Sequence, residues 1–320
     1  MNFASHISEA EDSGVDNIAK QTNAKNVNWF DEHPFPKIAK KAFEAQARES
    51  QKKKLASVTQ AIDIKQLPLW SDEVRAVPNG ILRSALFGAV KSGSKRYIDG
   101  ELIASVAGVV MRYTGQSLDQ GDLGVWEAVL HISKEYKLGN KCYATSYQIL
   151  GLLGLTDTGS NRRILVKRLT RLVATALDIE QGRYHYTGSL INEIDRDAVT
   201  GKLTIEINPK IIALYQYDQY TKIHFALCHE LKKPLAQWLY RFYSSHAKPY
   251  PYSIETIHEL CRSDAKSLND FKKNTLKNAL EEVSAVSAKY GVNFQYEIKN
   301  NLLHVTKSGS KSQIRHLLKK

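Results

Sequence analysis

The stretch Asn161-Arg-Arg-Ile-Leu-Val-Lys-Arg-Leu-Thr-Arg-Leu-Val-Ala-Thr-Ala-Leu177 carries two patterns at once. At about 100° per residue, Leu165, Leu169, Leu172, Val173 and Ala176 fall on one stripe. Arg163, Lys167, Thr170 and Arg171 fall on the opposite face, and Arg162 and Arg168 bring the cations between Asn161 and Arg171 to five, with no acid before Asp178. A surface helix ordinarily mixes signs at i,i+4. Here 163/167 and 167/171 are like-charged, a repulsion that a phosphate backbone would relieve, and an arginine fork matches guanine O6 and N7. The alternative is a solvated basic face.

Just upstream, Ser146 to Leu153 reads as a short helix stopped by Gly154, with a loop running to Ser160. Downstream, residues 178–208 hold strand-like runs around the turn Val199-Thr200-Gly201. Short helix, tight connection, longer helix and hairpin is the order of a winged helix-turn-helix unit.

That order returns. A shift of 107 positions superposes Tyr147 on Ile254, Leu150 on Ile257, Leu153 on Leu260, Ile164 on Phe271, Leu169 on Leu276 and Val173 on Leu280. Ser146 meets Ser253 and Ser160 meets Ser267, each where a helix should begin. The second long helix, Ser267 to Tyr290, has an apolar stripe of Leu268, Phe271, Leu276, Ala279 and Val283. Asp270, Lys273, Asn274 and Lys277 form its far face, Lys266 precedes it, and Lys272 falls on the apolar side. Asn pairs with adenine, Lys with phosphate or guanine, and Asp accepts from cytosine N4. The turns Arg196 to Lys202 and Lys299-Asn300-Asn301 are candidate wings, whose cations touch phosphate and fix register.

Elsewhere, Leu102 to Tyr113 reads as a hairpin around Gly108, and Asp122 to Tyr136 as an amphipathic helix with Asp122 as N-cap. Pro209 to Tyr217 restarts helix, and Leu231 to Ser245 is a long helix carrying Leu235, Trp238, Leu239 and Phe242. The expected fold is α+β: a flexible, partly helical N-terminal arm (1–64), winged-helix domain 1 (65–208), winged-helix domain 2 (209–306) and a basic C-terminal tail (307–320).

Composition agrees. The 320 residues include 45 Lys and Arg against 33 Asp and Glu, a formal charge of +12, which implies a polyanionic partner. A hydrophobic fraction of 42% builds real cores. The cysteines Cys142, Cys228 and Cys261 form no CxxC and no even framework, which fits a reducing cytoplasm. The first 18 residues hold Glu9, Glu11, Asp12 and Asp16 and no cation, unlike a signal peptide. The longest uncharged apolar run, Leu102 to Met111, is half the roughly 20 residues a membrane helix needs.

Catalytic patterns fail. Gly88-Ala-Val-Lys-Ser-Gly-Ser-Lys95 has Ser where a phosphate loop requires Lys. His185 has no His-x-His partner, and His224, Cys228 and His229 lack further ligands. The expectation is no enzyme, no cofactor and no metal.

Several segments resemble the TrfA-type plasmid replication initiators, tandem winged-helix proteins that bind repeated origin sites called iterons. They are Val74-Arg-Ala-Val-Pro-Asn79 with Arg83-Ser-Ala-Leu-Phe87; Arg168-Leu-Thr-Arg-Leu-Val-Ala-Thr-Ala176; Gln219-Tyr-Thr-Lys222; and Tyr243-Ser-Ser-His-Ala-Lys-Pro-Tyr-Pro251 leading to Glu255-Thr256 and Cys261-Arg-Ser-Asp264. The resemblance implies double-stranded DNA binding at origin direct repeats by a monomer. It also implies opening of AT-rich DNA, recruitment of host DnaA and DnaB helicase, and an inactive dimer formed through the first winged helix. Such initiators dock on the sliding clamp through a Gln-Leu-x-Leu-Phe motif. Gln66-Leu67-Pro68-Leu69-Trp70 is similar, with Trp replacing Phe; alternatively Leu69 and Trp70 anchor the first domain. A winged-helix transcription regulator or partition-type DNA-binding protein is the alternative reading.

Overall fold

The computed structural model describes residues 67–320, apart from 91–94, 107–108, 137–140, 182–183, 212–213, 216–219 and 319–320. The expected arm, Gln66 and Gly108 lie outside the described residues. In chain order the elements begin with β1 (Val74–Pro78), α1 (Asn79–Leu82), β2 (Phe87–Gly88), β3 (Tyr97–Ile103), β4 (Val109–Gln116), β5 (Leu118–Asp119) and α2 (Gln120–Ser133). Next come β6 (Cys142–Thr145), α3 (Ser146–Leu152), α4 (Gly159–Val173), β7 (Ala176–Gln181), β8 (Tyr184–Gly188), β9 (Ile191–Arg196) and β10 (Lys202–Ile207). A 3-10 turn, Pro209–Ile211, leads to β11 (Tyr220–His224), α5 (Phe225–Glu230), α6 (Pro234–Ser244), β12 (Tyr252–Ser253) and α7 (Ile254–Leu260). The helix α8 starts at Leu268–Asp270, passes through a π-helical stretch at Phe271–Leu276 and continues as Lys277–Lys289. It is followed by β13 (Phe294–Lys299), β14 (Leu302–Lys307) and α9 (Lys311–Leu318).

The repeated order is present in the backbone. Strand β6 leads into α3 and α4, and β9 and β10 follow, in a sheet ordered β6-β10-β9. Strand β12 leads into α7 and α8, and β13 and β14 follow, in a sheet ordered β12-β14-β13. Only the first set carries an insertion, β7 and β8, which joins β3 and β4 in an antiparallel sheet ordered β3-β4-β7-β8.

The single shift of 107 does not survive at side-chain level. Leu150 and Ile257, and Leu169 and Leu276, are buried in both copies, but exposed Tyr147 and Ile164 are set against buried Ile254 and Phe271. The caps are offset by 108 and 109 positions instead. Thr145 and Thr158 cap α3 and α4 in place of Ser146 and Ser160, whereas Ser253 and Ser267 do cap their helices. Along α4 the buried Leu165 and Leu169 are spaced by four, along α8 the buried Phe271 and Leu276 by five, and the π stretch has the wider turn that puts i and i+5 on one face.

Three other boundaries differ from expectation. Helix α2 is capped by Asp119, and Asp122 closes the capping box from the third position, its carboxylate accepting from Asp119 N at 3.0 Å. Helix α4 runs from Gly159 to Val173, so Ala176 and Leu177 lie in β7; Thr175 Oγ1 donates to Leu172 O and accepts from Leu190 N, turning the chain into the sheet. The C-terminal tail contains a helix, α9, tied back by Gln313 Nε2 donating to Ser244 O at 2.8 Å.

Residues 64–320 form one unit across the expected boundary at 208/209. Strand β1 pairs antiparallel with β11, Val74 opposite His224 through Pro78 opposite Tyr220. At the same junction Arg241 on α6 donates to both carboxylate oxygens of Glu127 on α2, at 3.1 and 2.7 Å, and to Gln120 Oε1 at 2.9 Å, all three residues being buried.

Candidate nucleic-acid interface

The Thr158 side chain caps α4, and Leu165, Leu169 and Leu172 seat it in the core. That presents the polar residues, but the five cations are not equivalent. Arg162 forms a two-pronged pair with Asp157, Nε to Oδ1 at 2.6 Å, and this hydrogen bond holds the Asp157 carboxyl below its ordinary range. Arg171 turns inward to Asp122, whose side chain has no exposed surface, with Nη2 2.6 Å from Oδ1. Arg168 Nε lies 3.9 Å from the same oxygen, and Lys95 Nζ 2.9 Å from Oδ2. Among the described residues Arg163 and Lys167 have no acidic partner, and both are exposed, as is Thr170. Asn161 donates through Nδ2 to Thr156 O at 2.7 Å. The expected face of Arg163, Lys167, Thr170 and Arg171 is thus narrowed to its first three members, because Arg171 serves a buried carboxylate.

On α8, Lys273 and Lys277 are exposed, and so are Lys266, Lys299 and Asn300. Asn274 Nδ2 donates to Asp270 Oδ1 at 2.8 Å, so these two satisfy each other. Lys272 donates to Asn301 Oδ1 at 3.2 Å, and Asn301 Nδ2 donates to Glu255 Oε1 at 2.7 Å. The hairpin turn is thereby tied to both helices of its unit. Asn300 and Asn301 have φ of 51° and 62°, as a two-residue turn between right-twisting strands requires.

The segment before β1 is used structurally. Leu67 and Trp70 are buried, and Leu69 is 70% exposed. Trp70 Nε1 donates to His131 Nδ1 at 3.0 Å, which leaves the ring proton on Nε2 facing Asp72 Oδ1 at 3.0 Å. Docking of this segment on another protein therefore requires Leu67 and Trp70 to leave the core.

Burial, then the charges of Arg75 and Lys134, push His131 down to about 4; burial and Arg83 do the same to His246. Both rings are therefore neutral in the fold, whereas the unfolded chain protonates them near 6.5. Stability is full above that pH and falls as pH drops toward 4, by about 2 kcal/mol per histidine at pH 5. Urea unfolding at pH 7.5 and pH 5 checks this, and His131→Gln should remove about half of the difference, His246 keeping the rest. Equal stabilities at the two pH values would contradict it.

Sheet strands β7 and β8 bring Asp178, Glu180 and His185 within 4.8 Å on an exposed surface, a grouping that a scan for close sequence spacing does not reveal. His224 caps α5, and His229 packs against Gly154, whose φ of 65° and lack of a Cβ let the ring approach. Burial pushes the Cys228 thiol up to about 11 and Cys261 up to about 12. Between the α3–α4 turn and α5–α6 lies a cavity of about 340 Å³ reached by Arg75, Arg168, His229 and Arg241.

Each of the two helix–helix–hairpin sets thus carries, on its second helix, exposed cations with no acidic partner among the described residues. A family model described as TrfA protein matches residues 3–305. The chain belongs to the TrfA family. It is 30% identical over 223 residues to the plasmid replication initiator protein TrfA of Escherichia coli, covering 67% of this chain and 58% of that protein. The chain thus spans less than two thirds of that TrfA relative. Replication protein RepA of Salmonella typhi is 22% identical over 231 residues, 65% of this chain and 66% of its own length. Among solved structures, RctB domains 2–3 align at 12% identity and a TM-score of 0.48 over 74% of this chain and 98% of that one. A Pi initiator protein in complex with iteron DNA aligns at 12% and 0.43 over 59% and 91%. Among the described residues no helix is long and apolar enough to cross a membrane.

Proposed function

We propose that this TrfA-family chain is a sequence-specific double-stranded DNA-binding plasmid replication initiator. Its two helix–helix–hairpin sets act as winged-helix units, each laying its second helix in a major groove. The observation that carries the reading is the repeated element order, with Arg163 and Lys167 on α4 and Lys273 and Lys277 on α8 exposed and without acidic partners among the described residues. Thr170, Lys266, Lys299 and Asn300 complete the contact set. The name of the TrfA relative points the same way. Opening of AT-rich DNA, recruitment of host DnaA and DnaB, an inactive dimer, a cytoplasmic location and a role without catalysis belong to the same proposal. A sliding-clamp contact enters it with Leu67 and Trp70 released and Leu69 already outside.

The two reading helices differ, so the two halves of the site should differ. One chain should protect about 20 bp of a directly repeated, non-palindromic site, successive grooves on one face being about 10 bp apart. Footprinting on the direct repeats beside the coding sequence, with the mass of the complex on one repeat, is the test. Two chains bound symmetrically to one palindrome would overturn the proposal in favour of a transcription regulator.

A further inference from the structure

The buried carboxylate of Asp122 takes charged partners from two other segments. Arg171 of α4 approaches with Nη2 at 2.6 Å from Oδ1 and Nε at 3.2 and 3.3 Å from the two oxygens. Lys95, just before β3, lies 2.9 Å from Oδ2 and also 2.7 Å from Asp119. Arg168 stands 3.9 Å away, and its guanidinium lies so near Gly121 that a Cβ there would come within 2.1 Å of it.

The order of side chains around α4 gives this cluster its meaning. Setting Arg163 at zero and turning roughly 100° per residue, Lys167 falls near 40°, Arg171 near 80°, Arg168 near 140°, and Leu172, Leu165 and Leu169 between about 180° and 240°. The two cations that Asp122 holds thus sit on the flank between the outward cations and the core. A carboxylate that grips this flank opposes rotation of the helix about its axis. Leucine packing fixes which face of α4 is buried, and a two-pronged arginine–carboxylate pair adds a directional restraint on the flank.

We propose that Asp122 is a positioning residue for DNA reading. Through Arg171 it fixes the rotation of α4 so that Arg163 and Lys167 face the groove, and it withdraws Arg168 and Arg171 from phosphate contact. The inference rests on the DNA-binding reading above. It assigns Arg171 to specificity and Arg163 to phosphate, a division that sequence pattern alone does not make.

The test uses the full chain, a duplex bearing one native repeat and a scrambled duplex of equal length, at a temperature where circular dichroism shows each variant folded. Arg163→Ala should reduce the salt slope on the scrambled duplex by about 0.9. Arg171→Ala should leave that slope unchanged, yet lower the ratio of repeat to scrambled affinity at least about tenfold, the size of a lost base contact. Asp122→Asn should lower the ratio likewise while steepening the slope, as Arg168 and Arg171 become free to meet phosphate. If Asp122→Asn fails to fold, Arg171→Ala decides alone, since Asp122 then keeps Lys95 at 2.9 Å and Arg168 at 3.9 Å, and alanine retains helix propensity. A slope that falls by about 0.9 in Arg171→Ala would overturn the inference, as would a ratio within twofold of the parent in either folded variant. A parent chain that does not distinguish the two duplexes would overturn the DNA-reading proposal itself.

Discussion

Replacing Arg163 and Lys167 together with alanine is expected to weaken binding to the direct repeat by about 30-fold at 0.15 M salt. Two lost phosphate contacts remove about 1.8 from the slope of log K against log salt, and 1.8 multiplied by the logarithm of 0.15 is about 1.5 decades. Both side chains are exposed on α4 and carry no acidic partner among the described residues, so their removal leaves no buried charge behind. Alanine is also the best helix former, so the fold should be unaffected. Titration at several salt concentrations reads both quantities. Unchanged affinity and slope in a folded double variant would remove α4 from the interface.

The second large effect lies at the junction of the two halves. Glu127→Ala is expected to destabilise the chain by about 3–5 kcal/mol, because it strands the Arg241 guanidinium in a buried site where, among the described residues, Gln120 Oε1 is the remaining hydrogen-bond acceptor. Replacing both partners by apolar side chains, Glu127→Leu with Arg241→Met, should recover most of that loss, since a well-packed apolar pair avoids the desolvation of two charges. Urea unfolding of the two variants gives the comparison. If Glu127→Ala costs under about 1 kcal/mol, water reaches the pair and the junction is looser than its geometry indicates.

Local features of the fold were legible because they are periodic. The stripe of Leu165, Leu169 and Leu172, the hairpin around Asn300 and Asn301, and Gly154 as a stop all follow from the chain within a few positions. What was not legible depends on pairs far apart. The partner of Arg171 is 49 positions away, and nothing near Arg171 marks Asp122 as inward-facing. The sign that could have done so is an acid in the first turn of a largely apolar helix, set between Gly121 and Gly124. Asp119 and Asp122 are three apart and chemically alike, so either reads as a cap; only the capping box separates their roles. The pairing of β1 with β11 joins segments more than 140 positions apart, across the expected boundary at 208/209. Helix α4 ended early because Ala176 and Leu177 suit a strand as well as a helix, and the neighbouring sheet decided.

The π stretch at Phe271–Leu276 changes what a shared ancestry of the two helix pairs would preserve. One added residue in a helix leaves its position and its partners in place but rolls every later side chain by about 100°. Local widening then restores the buried stripe, while the outward positions acquire a new sequence of side chains. Under the proposed DNA-binding reading, such a change keeps the docking pose and alters the side chains offered to the groove. A single-residue deletion within 272–275 should therefore be tolerated far better than one in α4, and the shortened helix would greet the groove with a different set of side chains.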